Sequence, residues 1–211
     1  MALELEIKLT AEDALTLDAV LADAEIAAMA DPPERVDYRA TYYDTADLLL
    51  LHNQLAFRSR PEGDGRWRAA VKGFGGVVDG VSRREEWEGF LPHNPTNLSD
   101  FPPGEMREAL AHLRQRAPLA PLQPLMVTDF ERRAVRLHLA GGTQVEMALD
   151  RGQVEAGGQL QGLCEVELEL LQGELAPVEA LAKRLTHRYK LVPSPHSKFA
   201  IGLLLLGLLQ A

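Results

Sequence analysis

The sequence predicts an α+β fold built on a closed, eight-stranded antiparallel β-barrel with helices packed against its outside. Three observations carry that expectation. Eight segments alternate charged and apolar residues with a period of two, compact turn signals separate them, and helical periodicity is confined to four places.

The alternating segments are residues 3–9, 36–43, 54–60, 66–73, 81–91, 127–139, 143–150 and 163–171. Between them stand Glu62-Gly63-Asp64-Gly65, Gly75-Gly76, Gly141-Gly142 and Gly157-Gly158, the connections antiparallel hairpins use. Eight strands are enough to close a barrel. The first helix is expected from a cap at Thr10 to about Met29, with Asp13 favouring its first turn. Residues 105–116 and 177–189 read as amphipathic helices. The last helix starts at Ser194 or Ser197 and carries the apolar run 199–209, which reads as buried. Residues 92–124 hold seven prolines and are expected to cross the outside of the barrel.

Composition narrows the function classes. A chain of 211 residues with 46% hydrophobic content can bury one sizeable core, and residues 1–211 are expected to form a single domain. The formal net charge of −9, with basic residues scattered singly or in pairs, argues against a nucleic-acid partner. Cys164 is the only cysteine, so one chain can build neither a disulfide nor a thiolate metal site, and a cytoplasmic setting is expected. The N-terminus lacks a basic region followed by an apolar stretch, and the run 199–209 is too short to span a bilayer, so no membrane partner is expected.

Alternate side chains of a strand share a face. Glu4, Glu6 and Lys8 therefore oppose Leu3, Leu5, Ile7 and Leu9. Arg58 pairs with Arg60, Arg68 with Lys72, and Arg84 with Glu86 and Glu88. Arg132, Arg136 and His138 oppose Val135 and Leu137; Glu146 and Asp150 oppose Val145, Met147 and Leu149; Glu165, Glu167 and Glu169 oppose Val166, Leu168 and Leu170. One such strand is an ordinary half-solvated sheet. When nearly every strand does it, and helices need the apolar side, the charges turn inward. A lumen lined by charge has to be wet and to compensate charge with charge or with ligand. Clustered Arg and Lys fit a small polyanion, and clustered carboxylates fit a hard cation, Mg²⁺ or Mn²⁺. Together they describe a metal-bound polyphosphate.

The motifs have a resemblance. Glu4-Leu5-Glu6-Ile7-Lys8 resembles the ExExK signature of the CYTH, or triphosphate tunnel metalloenzyme, superfamily. It is followed in order by Tyr42-Tyr43-Asp44-Thr45, Arg58-Ser59-Arg60, Lys72, Arg84-Glu85-Glu86, Asp129-Phe130-Glu131-Arg132, Glu165-Val166-Glu167 and Ser197-Lys198. The stretches 145–150 and 164–170 look most like bacterial inorganic triphosphatases, some of which carry a further helical, histidine-rich domain that this sequence is expected not to reach.

The resemblance implies hydrolysis of inorganic triphosphate to pyrophosphate and phosphate. It implies that Glu4, Glu6, Asp150, Glu165 and Glu167 hold metal, with Glu146 competing with Asp150. Lys8, Arg58, Arg60, Lys72, Arg84, Arg132 and Lys198 would bind the phosphates. The chemistry would be carried by Glu4, Glu6, Lys8, Glu86 and Glu167, with Glu86 or Glu167 orienting the attacking water. Tyr43 and Asp44 are expected in turn and packing roles, and His138 and His196 in structural or surface ones. Relatives acting on thiamine triphosphate carry a tryptophan two residues before the first paired arginine. Here that position is Ala56, Phe57 has outward parity, and Trp67 or Trp87 would have to supply any stacking ring. Thiamine or nucleoside triphosphate hydrolysis, adenylate cyclisation and a non-catalytic polyphosphate-binding module are the alternative readings.

Overall fold

The computed structural model describes residues 2–194 and 196–210. Strand β1 (Ala2–Thr10) is followed by α1 (Ala14–Leu21), α2 (Ala24–Ala27), β2 (Glu34–Asp44), α3 (Leu49–His52), β3 (Leu55–Pro61), β4 (Trp67–Gly73), β5 (Gly76–Val78) and β6 (Val81–Leu91). The second half runs α4 (Glu105–Ala109), α5 (Ala111–Arg116), β7 (Gln123–His138), β8 (Gln144–Ala156), β9 (Gln159–Gln172), α6 (Leu175–Tyr189), β10 (Val192–Pro193) and α7 (Lys198–Leu205).

Eight strands close a ring in the order β1, β9, β8, β7, β2, β3, β4, β6, with β6 returning to β1 and every neighbouring pair antiparallel. Strands β5 and β10 are short additions beside β6 and β1. Closure is what the alternation predicts, and it leaves the ring without a free edge.

The apolar parity of each strand faces outward into two cores. Ile7, Leu9, Val135, Leu137, Val145, Met147, Leu149, Val166 and Leu168 meet Leu17 and Val20 of α1 and Val178, Leu181 and Leu185 of α6. On the other flank, Leu55, Phe57, Ala69, Val71 and Leu91 meet Leu98, Phe101, Leu110 and Leu113 of the proline-rich excursion. Each of these large side chains, fully buried, contributes roughly 1.5–3 kcal/mol. The helices thus take the apolar side and leave the charged side to the lumen.

Several boundaries differ from the sequence-based expectation. Thr10 does not cap α1, because the sheet uses it opposite Glu165 and Val192. Asp13 is the cap, accepting the Thr16 N–H at 2.8 Å, and a second cap at Asp23 starts α2 before Met29 is reached. The segment 105–116 breaks at Leu110 into α4 and α5. Strands β8 and β9 run on to a two-residue turn at Gly157 and Gly158, whose φ of +58° and +74° is the left-handed pair such hairpins need.

The largest correction concerns the C-terminal run. Ser197, rather than Ser194, caps α7, which stops at Leu205, and Leu208 and Leu209 are exposed. Helix α7 also does not pack on the outer face. Its Leu203 lies among inward-facing Tyr42, Ala56, Met126 and Ala156, so this helix fills one end of the barrel. Gly202 lets it approach: a Cβ there would lie 2.1 Å from the Met126 sulfur.

Candidate active site

The lumen is a cavity of about 570 Å³ that brings together Glu4, Glu6, Lys8, Arg58, Arg60, Lys72, Arg84, Glu86, Arg132, Glu167 and Lys198 from six strands and the start of α7. Asp150 and Glu165 sit beside them, fully buried. Every residue singled out from the sequence for metal, phosphate or catalysis therefore converges on one place, and its charges divide into two groups.

In the first group, oxygens of Asp150, Glu165 and Glu167 lie within 4.8 Å of one another. The Lys198 ammonium stands among them, 2.7 Å from Asp150, 3.0 Å from Glu165 and 2.6 Å from Glu167. Arg132 donates to both oxygens of Asp150, at 2.7 and 2.6 Å, and to Glu167. Lys8 reaches Glu167 from the facing position of β1. Burial works against the Lys198 charge, but Asp150, Glu167 and Glu165 outweigh it and hold the ammonium well above the usual lysine range. Burial likewise opposes the Glu167 carboxylate, which Lys198, Lys8 and Arg132 hold well below the usual range. Three acids meet three bases.

The second group is not balanced. Strand register puts Glu169 opposite Glu6 on one side and opposite Glu146 on the other, a row of three carboxylates across β8, β9 and β1. Like charges directly opposite one another destabilise a sheet. Burial first, then Glu4, Glu146 and Glu6, push the Glu169 carboxyl up to about 7. Burial and Glu167 raise that of Glu6. Glu4 differs: burial works to raise it, while the Arg84 hydrogen bond and the charges of Lys72 and Arg84 bring it down to about 2. Lys72 donates to Glu86 at 2.7 Å, yet the other oxygen of Glu86 is buried without a hydrogen-bond partner among the described residues. Burial, with Arg58 and Arg84 nearby, lowers the Lys72 pKa.

Two cations here also lack full pairing. Arg58 has one ion-pair contact among the described residues, Glu86 at 4.0 Å. Arg60 donates through Nε to Glu62 at 3.0 Å and lies over the Tyr38 ring at 3.9 Å, leaving one buried guanidinium nitrogen without a partner. Surplus carboxylate beside surplus guanidinium suits a cation and an anion bound together, so the donor set fits a hard divalent metal.

A family model of the CYTH domain matches residues 2–201. The chain belongs to the CYTH family. It is 29% identical over 165 residues to an inorganic triphosphatase of Haemophilus influenzae, a match covering 78% of this chain and 45% of that relative's length. Among solved structures, it superposes with a TM-score of 0.70 and 19% identity on HpAC1 of Hippeastrum, a proposed adenylyl cyclase described as having a dominant triphosphatase activity. That match covers 98% of this chain and 97% of the other. A proposed adenylate cyclase from Bacillus halodurans gives a TM-score of 0.54 at 17% identity, over 93% and 96% of the two chains. At these identities the structural likenesses establish the fold.

The CYTH lumen also holds residues that were not singled out from the sequence. Glu169 shares the inward face of Glu165 and Glu167 in the sequence without a role assigned to it, and the register shows it flanked by two other glutamates. Tyr38 and Phe130 stack at 5.3 Å, and Phe74 meets Phe199, which meets Tyr42; all five rings line the cavity. Tyr42 and Phe130 lie on the inward parity of β2 and β7, whereas Phe74 follows β4 and Phe199 sits in α7, where strand parity is silent. Trp67 and Trp87 pack on the outer core, so neither supplies a stacking ring. Phe57 points outward against Phe101, as its parity predicts. Ala56 faces inward and is covered by the α7 cluster. Asp44 accepts the N–H groups of Thr45, Leu50 and Leu51, a turn role. His138 is an exposed partner of Asp31, whereas His196 lines the lumen. Among the described residues no helix is long and apolar enough to cross a membrane.

Proposed function

We propose that this CYTH protein hydrolyses inorganic triphosphate to pyrophosphate and phosphate in the cytoplasm, with Mg²⁺ or Mn²⁺ held by the acidic wall that includes Glu4 and Glu6. The observation that carries the reading is incomplete pairing of both signs in the second group: among the described residues no ion pair reaches Glu169 and one buried Glu86 oxygen has no hydrogen-bond partner, while Arg58 has a single ion-pair contact at 4.0 Å and one buried Arg60 nitrogen has no partner. A metal–triphosphate complex supplies both. The name of the H. influenzae relative supports the same substrate.

A divalent ion, when bound, polarises phosphoryl oxygens and lowers the pKa of its water. The chain's own residues do the rest. Arg58 and Arg60 clamp phosphate oxygens with guanidinium forks, and Lys72 and Arg84 hold Glu4 and Glu86 in place. Of the two candidates for orienting the attacking water, Glu86 is favoured, because it keeps a buried oxygen free while Glu167 is tied to three cations. The protein acts mainly by positioning and fixed charge.

The Phe74–Phe199 contact beside the lumen supports a second reading, an organic triphosphate whose flat group rests on those rings. Phosphate release from tripolyphosphate, pyrophosphate, ATP and thiamine triphosphate, with Mg²⁺ and Mn²⁺ in turn, separates the two. Faster release from either organic triphosphate would overturn the inorganic assignment.

A further inference from the structure

We propose that Tyr38 is a positioning residue of the lumen: its ring carries the Arg60 guanidinium by the face and leaves the in-plane N–H groups free to take a phosphate oxygen. This rests on the triphosphate reading above, in which Arg60 takes phosphate.

Strand pairing places Tyr38 of β2 directly opposite Phe130 of β7, and the two rings stack at 5.3 Å with their planes 4° apart. Phe130 is buried, so the ring beneath fixes the plane of the half-buried Tyr38. The Arg60 guanidinium carbon lies 3.9 Å from the Tyr38 centroid. Across β3 and β4, Arg60 stands opposite Arg68, a like charge at a position where pairing brings side chains together. Arg68 is drawn toward Glu88, whereas Arg60 rests on Tyr38.

A guanidinium presents its five N–H groups in one plane, and an aromatic face attracts it without using any of them. A carboxylate in the place of Tyr38 would occupy those donors and cancel the charge. Glu62 takes only Nε, at 3.0 Å, and one terminal nitrogen is buried without a partner among the described residues. An arginine kept for stability alone would not leave a buried donor unmade, because that is costly. Arg60 lines the same cavity as Arg58 and Arg132, where a phosphate oxygen would complete it.

The test is calorimetric binding of tripolyphosphate to the full chain, with turnover measured beside it. Tyr38→Leu should raise Kd and KM roughly three- to thirtyfold, the range of a cation–π contact, and change kcat less. Tyr38→Phe should restore both. Adding two and then three fluorines to that phenylalanine ring, which nearly keeps its shape but drains the negative charge of its face, should weaken binding stepwise. In Arg60→Ala, the Tyr38→Leu change should have no further effect. Failure of Tyr38→Phe to restore affinity, equal affinity along the fluorinated series, or a Tyr38→Leu loss that persists in Arg60→Ala would each overturn the proposal. If Tyr38→Leu does not fold, the fluorinated series decides. Wild-type protein that binds tripolyphosphate without hydrolysing it would overturn the hydrolysis reading and leave Tyr38 to be judged by the affinities. Wild-type protein that binds none would overturn both.

Discussion

Asp150, Glu165 and Glu167 are met by Lys8, Arg132 and Lys198 within hydrogen-bonding reach, whereas Glu146, Glu169 and Glu6 face one another across three strands, with Arg84 reaching Glu6 at 3.1 Å and no ion pair reaching Glu169 among the described residues. Both sets sit in one lumen, and both come from alternating strands of the same composition. What separates them is the cross-strand neighbour. Glu167 stands opposite Lys8, and Glu169, two residues on, stands opposite Glu6. A strand can therefore carry structural and functional charge on one face, and the partner strand decides which is which.

The comparison can be broken most severely from its balanced side. Arg132→Ala strands the fully buried Asp150 and loosens Glu167, and should cost about 3–5 kcal/mol of unfolding free energy in a denaturant titration. On the unbalanced side, Glu6→Gln should lower kcat for tripolyphosphate on the order of 100-fold or more while keeping the melting temperature, since it removes an electrostatic contact without orphaning a cation. Full activity in both Glu4→Gln and Glu6→Gln would remove the metal-site assignment. Arg58→Ala is the milder test. Its only ion-pair contact among the described residues is at 4.0 Å, so stability should change by less than about 1 kcal/mol. KM for tripolyphosphate should still rise roughly ten- to a hundredfold, the worth of hydrogen bonds to a charged group.

The smallest effect is a pH slope. The Glu169 carboxyl has its folded pKa raised to about 7 from the ordinary glutamate value of 4.5, so folding favours its protonated form. The stability this gives is fully present below pH 4.5 and is lost as pH rises toward 7. Chelated wild-type protein should lose stability across that window, and Glu169→Gln should flatten the slope. An unchanged slope in the variant would mean that another group is responsible.

Much of this barrel is legible in its sequence because each wall strand states its own parity, and parity depends on neighbours along the chain alone. Leu5, Ile7 and Leu9 against Glu4, Glu6 and Lys8 says which side is which without knowledge of any partner. The helix start was misplaced because Thr10 is a good cap by chemistry, but the ladders to β9 and β10 use its backbone first. Charge balance was illegible for a deeper reason: it depends on which residues of different strands fall opposite one another, and no single segment encodes that. Glu169 and Glu167 look alike in sequence. The destination of α7 was partly written, in the apolar residues Tyr42, Ala56 and Met126 that interrupt an otherwise charged inward face. Their meaning emerges only when Leu203 is seen to fill the space between them.

That helix gives the barrel a floor. Leu203 and Phe199 pack among Tyr42, Ala56 and Met126 at this end, and the Gln159 side chain fastens the far end of α7 at 2.8 Å through the Leu205 carbonyl. A pipe can be threaded, but a cup must be emptied by the way it was filled. Under the proposed hydrolysis, a pyrophosphate product would leave past the arginines that the next substrate must reach, so the two would compete for one opening. Under the same proposal, a long polyphosphate would present only its end.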